Sequence, residues 1–191
     1  MTHDAGDGDH DLMIAIGQGR RQAFHTLMQR HLASIVALAH RLVGNQADAD
    51  EIAQEVFLRV WVTAPRWRPD GEAKLTTWLY RVTVNLCLDR RRRVTALPLE
   101  AAGDPVDPLP SSLDRVVEQD AVMWLNQALS RLPERQRGVL ALCYFGETTA
   151  SDAAQILDLS VSAVEALLVR GRRSLRKNLS ALGIVEMGDL R

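Results

Sequence analysis

Residues 75–93 read LTTWLYRVTVNLCLDRRRR, and the interpretation of the rest of the chain starts from this stretch. Its apolar residues, such as Leu79 and Val82, recur every three or four positions, which predicts a helix with one buried face. The helix closes on four consecutive arginines, and Arg81 lies on its other face. Because a buried face fixes where the guanidinium groups point, the pattern indicates a rigid positive surface for a polyanion such as nucleic acid.

Charge is spread unevenly along the 191 residues, whose net charge is −1. Residues 81–93 hold five arginines against one aspartate, and residues 162–177 hold five basic residues against one glutamate. Binding to a polyanion depends on such local patches, so the near-neutral total does not argue against it. Two distant cysteines in apolar contexts predict buried thiols in a reducing cytoplasm, and no apolar run approaches the roughly 20 residues of a membrane span.

The composition predicts an all-α chain of two small helical domains joined by a proline-rich linker. Residues 1–11 are polar and glycine-rich, which predicts a disordered tail, and residues 12–93 form the first domain. Residues 94–112 hold four of the seven prolines and are typical of a semi-rigid linker. The second domain spans 113–185, before a short tail at 186–191, and no strand pattern appears anywhere.

The helix after Gly44 has a clear predicted start, because Asn45 can cap it and Asp48 lies in its positive first turn. The periodicity extends this helix from Gln46 to about Thr63. Its outer side carries a mostly acidic stripe, formed by Asp48, Glu51, Gln54, Glu55 and Leu58. On spacing alone, a solvated face is favoured over a partner-binding surface.

A loop follows at 65–74, and in it Trp67 stands between Arg66 and Arg68. An aromatic side chain flanked by arginines suits stacking on unpaired bases. A tryptophan that closes the edge of a core is at least as common. Both interpretations are open at this point.

The second domain ends in a predicted helix-turn-helix. A short helix from about Thr149 to Leu157, a turn and a longer basic helix from Val161 form the pattern. In this motif the second helix enters the major groove of DNA, and its later basic turns follow the phosphates.

The sequence offers little for catalysis. It lacks a glycine-rich phosphate loop, a helical pair of histidines with a glutamate, and a nucleophile elbow. His25, His31 and His40 share a helix, but their spacings do not bring them to one face, so we expect exposed histidines and no metal site. Neither an enzymatic activity nor a cofactor is predicted.

Four blocks together resemble a known family: DADEIAQEVFLRVW (48–61), TTWLYRVTVNLCLDRRRR (76–93), RLPERQRGVLALCYF (131–145) and VEALLVRGRRSLRKNL (164–179). In this order and at these separations they look like a sigma factor of bacterial RNA polymerase, of the extracytoplasmic-function (ECF) group of the sigma-70 family. The resemblance covers roughly residues 22–182.

The resemblance implies a role for each surface. The acidic stripe would dock on core RNA polymerase, at the clamp helices of its largest subunit. The loop and the arginine helix would melt and hold the minus-ten element, through Trp67, Lys74, Trp78, Arg81, Asn85, Arg90, Arg91, Arg92 and Arg93. The second domain would read the minus-thirty-five element, through Ser160, Ser162, Ala163, Glu165, Ala166, Val169, Arg170, Arg172 and Arg173.

The resemblance also implies partners: promoter DNA, the flap of the second-largest polymerase subunit, and an anti-sigma factor, which in many relatives is membrane-anchored. The chain itself would not bind a membrane. Many relatives have a polar and basic run where this chain has Glu165, Ala166 and Leu167, so the resemblance does not give its base readout. Two rivals stay open, a conventional helix-turn-helix regulator that binds duplex DNA without polymerase, and a small helical enzyme.

Overall fold

The computed structural model describes residues 5–68, 74–96, 113–146 and 148–183. These residues form eight α-helices and one 3₁₀ turn, without a strand. In chain order they are α1 (Ala5–Gly17), α2 (Arg21–Val43), α3 (Gln46–Thr63), the 3₁₀ turn (Ala64–Arg66), α4 (Leu75–Ala96), α5 (Leu113–Ser130), α6 (Glu134–Phe145), α7 (Ala150–Leu157) and α8 (Val161–Ala181). The predicted all-α fold is confirmed.

The junction between α2 and α3 follows its local sequence. Gly44 adopts a left-handed φ of 92°, and its backbone N–H donates to the carbonyl of His40. Glycine takes this conformation without a steric penalty, so it ends α2 cleanly. The side chain of Asn45 then accepts from the backbone N–H of Asp48 at 2.8 Å, which confirms the predicted cap.

The amino-terminal end differs from the prediction. Helix α1 begins at Ala5, although residues 1–11 are predicted as a disordered tail. Asp9 is buried and accepts from Arg30 Nη1 and His31 Nε2, both at 2.8 Å. His31 is therefore bound rather than exposed as predicted. Composition did not predict an ordered segment here, because the partners of Asp9 lie on α2 and no local sequence pattern relates residues so far apart.

At the other boundary of the first domain, α4 continues through Ala96, three residues into the predicted linker. The rest of that linker, 97–112, and the tail 186–191 lie outside the described residues.

Two groups of buried residues form the interior. The smaller one joins α5, α6 and α8, through Ala128, Leu129, Leu132, Leu140, Leu175 and Leu179. The larger one contains side chains of α1 to α4 and also residues from the second half of the chain, namely Val139, Ala141, Leu142, Ala153, Ala154, Ile156 and Val164. The two halves therefore share one apolar core.

Contacts between helices show how the halves meet. Helix α7 packs on α4, and both α5 and α6 pack on α2. The residues of α4 from Leu79 to Leu88 are almost all buried or half-buried, with only Arg81 and Asn85 exposed. Such burial around a helix is typical of one that is covered on two sides, here by the first half and by α7.

Candidate nucleic-acid interface

The acidic stripe of α3 lies on the surface. Its inner side buries Ile52, Val56 and Val60, while Leu58 on the outer side is 56% exposed. Trp61 and Val62 extend the apolar part of this surface, at 39% and 67% exposure. Neither Trp61 nor Val62 belongs to the predicted stripe. Their exposure could have been predicted from helical spacing, because Trp61 and Val62 follow Leu58 by three and four residues and such residues share one face of a helix.

Trp67 is held in place by the first helix. Its indole Nε1 donates to His10 Nδ1 at 3.1 Å, and its ring meets Trp78 edge-on with centroids 5.8 Å apart. Both tryptophans are half-buried, and Lys74 beside them is exposed. His10 lay within the predicted tail, so the sequence did not indicate it as part of this aromatic cluster.

The outer face of α4 carries Arg81 and Asn85, which are both exposed. The guanidinium of Arg81 donates through Nη2 to the backbone carbonyl of Gln155 on α7, at 2.6 Å. Arg81 is thus joined to the second half of the chain, a contact between residues 74 apart in sequence.

The four arginines at the end of α4 do not form a uniform surface. Arg90 forms ion pairs with Asp48 at 3.3 Å and with Glu51, which ties α4 to the acidic stripe of α3. Arg91 donates to the carbonyl of Leu42 at 3.1 Å. Arg92 and Arg93 are exposed.

The helix-turn-helix is built by strong local caps. Thr149 and Asp152 form a reciprocal capping box at the start of α7, and the hydroxyl of Ser160 accepts from Ala163 N at the start of α8. Asp158 adopts a left-handed φ of 54° and turns the chain between them. Asp is among the residues that tolerate this conformation, so the turn suits its sequence.

Helix α8 buries Val164 and exposes the other side. Exposed there are Ser160, Ser162, Glu165, Ala166, Val169, Arg170 and Arg173, whereas Ala163 and Arg172 are half-buried. A shallow cleft of about 450 Å³ is lined by Val169, Arg170, Arg172, Arg173 and Arg176. Arg176 was not among the predicted contacts, although it follows Arg173 by three residues on the same face. Leu167 is partly buried against the core rather than free for DNA.

The described residues contain no group of three histidine, cysteine or acidic side chains that could hold a metal ion. Burial raises the pKa of Cys87 to about 12 and raises that of Cys143, so both free thiols are poor nucleophiles. Among the described helices, none has the length and apolarity to cross a membrane.

Comparisons with known proteins agree with this geometry. Residues 27–96 match the family Sigma-70 region 2, and residues 123–175 match Sigma-70, region 4. The chain is 33% identical over 178 residues to the ECF RNA polymerase sigma factor SigW of Bacillus subtilis. The aligned region covers 87% of this chain and 94% of SigW. It is 30% identical to SigM of Mycobacterium tuberculosis, over 91% of this chain and 86% of SigM.

A solved structure of CnrH in complex with the cytosolic domain of CnrY has a TM-score of 0.69 to this chain and 25% identity, covering 91% of this chain and 98% of CnrH. Together with the two region matches and the SigW relation, this shows the class: the chain belongs to the ECF group of sigma-70 family sigma factors. It is therefore a promoter-recognising transcription initiation factor. The rival interpretation as a conventional regulator does not account for the region 2 match at 27–96.

Proposed function

We propose that the outer side of α3 is the surface that docks on core RNA polymerase, at the clamp helices of its largest subunit. The supporting observation is Leu58, a large apolar residue that is 56% exposed beside the polar and acidic side chains of the stripe. An apolar centre with a polar rim is typical of a protein interface. The contacting residues are Asp48, Glu51, Gln54, Glu55 and Leu58.

We further propose that the exposed face of α4 and the aromatic cluster before it hold the unpaired minus-ten strand. Stacking on Trp67 and Trp78 offsets the cost of unpairing a base, and Arg81 and Asn85 bind base edges. Lys74 and the four arginines from Arg90 to Arg93 bind phosphates. Arg92 and Arg93 contribute most of this affinity because Arg90 and Arg91 bond to α3 and α2.

The exposed side of α8 is the proposed reader of the minus-thirty-five duplex. Glu165 can accept a hydrogen bond from cytosine, and Arg170 can donate to guanine. The remaining contacts, to phosphates or by close approach, are from Ser160, Ser162, Ala163, Ala166, Val169, Arg172 and Arg173. The second half would also contact the flap of the second-largest polymerase subunit.

Regulation by an anti-sigma factor is part of the proposed function. CnrH, whose structure resembles this chain, is solved in complex with the cytosolic domain of CnrY. A corresponding partner, membrane-anchored as in many relatives, would hold this chain inactive until a signal releases it. The sigma factor itself would act in the cytoplasm, without enzymatic activity, cofactor or membrane contact of its own.

Transcription from defined components tests the assignment. Core polymerase with this protein should initiate at a promoter found by mapping transcription starts after overexpression. The double variant Glu51→Ala with Gln54→Ala should weaken core binding, measured by fluorescence anisotropy. Asn85→Ala should leave core binding intact and slow the opening of the promoter, measured by permanganate reaction of unpaired thymines.

Gln29→Ala, on an exposed part of α2, is the matched control for both readouts. If the double variant binds core polymerase as tightly as the wild type, the docking surface is elsewhere. If Asn85→Ala weakens core binding and leaves opening unchanged, the strand-binding face is assigned wrongly.

A further inference from the structure

Helix α1 contacts the segment that carries Trp67 at two points. At the carboxyl end of α1, Gly17 lies so close to the 3₁₀ turn that a Cβ there would be 2.6 Å from the carbonyl oxygen of Ala64. Nearer its amino end, His10 accepts a hydrogen bond through Nδ1 from the indole Nε1 of Trp67, at 3.1 Å. The first contact fixes the backbone that leads to Trp67, and the second contact fixes the ring.

Helix α1 is itself bound to the rest of the fold, so it can serve as a fixed support. Met13 is fully buried in the core. Asp9, the residue before His10, is 3% exposed and accepts from Arg30 and His31 on α2, both at 2.8 Å. His10 therefore projects from a stretch of backbone that is anchored on both sides of it.

The hydrogen bond selects one orientation of the Trp67 indole. An indole N–H can only donate, and Nδ1 of a histidine accepts only when it carries no proton. Rotation of the ring by half a turn would move Nε1 away from His10 and leave the donor of a half-buried side chain without this partner. Trp78 meets Trp67 at an interplanar angle of 72° and has no lone-pair acceptor that could replace His10.

We propose that His10 is a positioning residue for promoter opening, and that α1 is thereby part of the strand-binding site. The proposal rests on the proposed function of Trp67, which is to stack on an unpaired base. A ring that is already oriented loses less conformational freedom when the base arrives, so more of the stacking energy is available to offset unpairing. His10 acts through Trp67 and needs no contact with the DNA.

The orientation of the ring can be observed through its N–H group on the full chain. The chain has four tryptophans, so a proton–nitrogen correlation spectrum contains four indole signals, and Trp67→Phe identifies the signal of Trp67. His10→Phe keeps a ring at this position but removes the acceptor. We expect the Trp67 indole proton to exchange with water about tenfold faster in His10→Phe than in the wild type.

Promoter opening separates positioning from a general effect on stability. His10→Phe should slow opening about fivefold, as expected for the loss of one hydrogen bond at the ring. His10→Asn should remain within about twofold of the wild type, because the amide oxygen of asparagine can take the place of Nδ1 and accept from the indole. His25→Phe, at an exposed position of α2, is the matched control and should leave opening unchanged.

Opening is measured with a fluorescent adenine analogue placed in the minus-ten element of the mapped promoter. A double-mutant cycle then tests whether His10 acts through Trp67. Trp67→Phe keeps an aromatic ring for stacking but has no N–H to donate, so in this background His10→Phe should slow opening no further. Core polymerase affinity and Tm are measured for every variant, which identifies any loss of opening that is caused by unfolding.

Three results would overturn the proposal. The Trp67 N–H could exchange equally fast in the wild type and in His10→Phe, His10→Asn could open the promoter as slowly as His10→Phe, or His10→Phe could slow opening by the same factor in the Trp67→Phe background. The proposed function fails separately. If Trp67→Ala opens the promoter as fast as the wild type, the stacking assignment is lost, while the exchange rates still report whether His10 fixes the ring.

Discussion

Replacement of Asp9 by asparagine tests how α1 is held against the rest of the fold. Asp9 is 3% exposed, and its carboxylate accepts hydrogen bonds from Arg30 and His31 on α2. Asparagine keeps the size of the side chain but removes its charge. It also leaves the two donors of α2 with a weaker acceptor, so the loss is that of two charge-assisted hydrogen bonds.

The size of the expected loss in the free energy of unfolding depends on how exposed the two donors are. A hydrogen bond to a charged group contributes about 1.5–3 kcal/mol. The side chain of Arg30 is 46% exposed, so solvent screens its share, whereas that of His31 is only 13% exposed. We expect Asp9→Asn to lower the free energy of unfolding by about 2 kcal/mol, which lowers Tm by about 4–8 °C in a chain of this size.

The stability difference between the wild type and Asp9→Asn should depend on pH. Burial acts to raise the pKa of Asp9, but the hydrogen bonds from His31 and Arg30 outweigh it and lower the pKa below 3.8. A carboxyl with a lowered pKa in the folded state stabilises the protein above its unfolded-state pKa, and this contribution is lost as pH falls through the folded value. The difference between wild type and variant should therefore be full at pH 7 and shrink below about pH 4.

Urea unfolding followed by circular dichroism at several pH values measures this difference. Asp11→Asn is the matched control, because Asp11 is exposed on the same helix and the change removes the same charge. If Asp9→Asn and Asp11→Asn unfold at the same midpoint as the wild type at pH 7, the buried ion pair does not hold α1 in place.

Three further predictions concern other parts of the fold. Thr149→Ala should lower the free energy of unfolding by about 0.5–2 kcal/mol by removing the capping box of α7, and exposed Ser151→Ala should not; equal unfolding midpoints would contradict the role of the cap. Cys87, with a pKa raised to about 12, should resist a thiol reagent at pH 8 in the folded protein and react once urea unfolds it; rapid reaction without urea would show that the thiol is accessible. Val62→Asp should weaken core polymerase binding while leaving Tm unchanged, because the side chain is 67% exposed; unchanged affinity would limit the docking surface to the predicted stripe.

Signals that act within a few residues predicted much of the fold. The cap at Asn45, the stop at Gly44 and the bounds of α3 follow from side chain to backbone bonds over three or four positions. The helix-turn-helix could be predicted for the same reason, since its turn and its capping residues are adjacent in sequence. The family resemblance, carried by residue types and their spacing, is confirmed by the region 2 and region 4 matches.

The candidate site was only partly predictable. Arg81 and Asn85 lie on the exposed face of α4, as the helical period predicts. The four consecutive arginines, by contrast, look alike in the sequence but differ in the fold. Arg90 binds α3 and Arg91 binds α2, whereas Arg92 and Arg93 are exposed. No pattern within α4 distinguishes these arginines, because their partners belong to other helices.

The sequence by itself therefore determined that the chain is helical, where α3 and the two helices of the helix-turn-helix lie, and that it is an ECF sigma factor. Only the tertiary structure decided that α1 belongs to the fold and that α7 packs on α4, where Gln155 accepts from Arg81. The physical reason is distance along the chain: Asp9 meets Arg30 across 21 positions, Trp67 meets His10 across 57, and Arg81 meets Gln155 across 74. Helical periods and caps encode bonds over three or four residues, whereas these bonds form only once the core has brought the helices together.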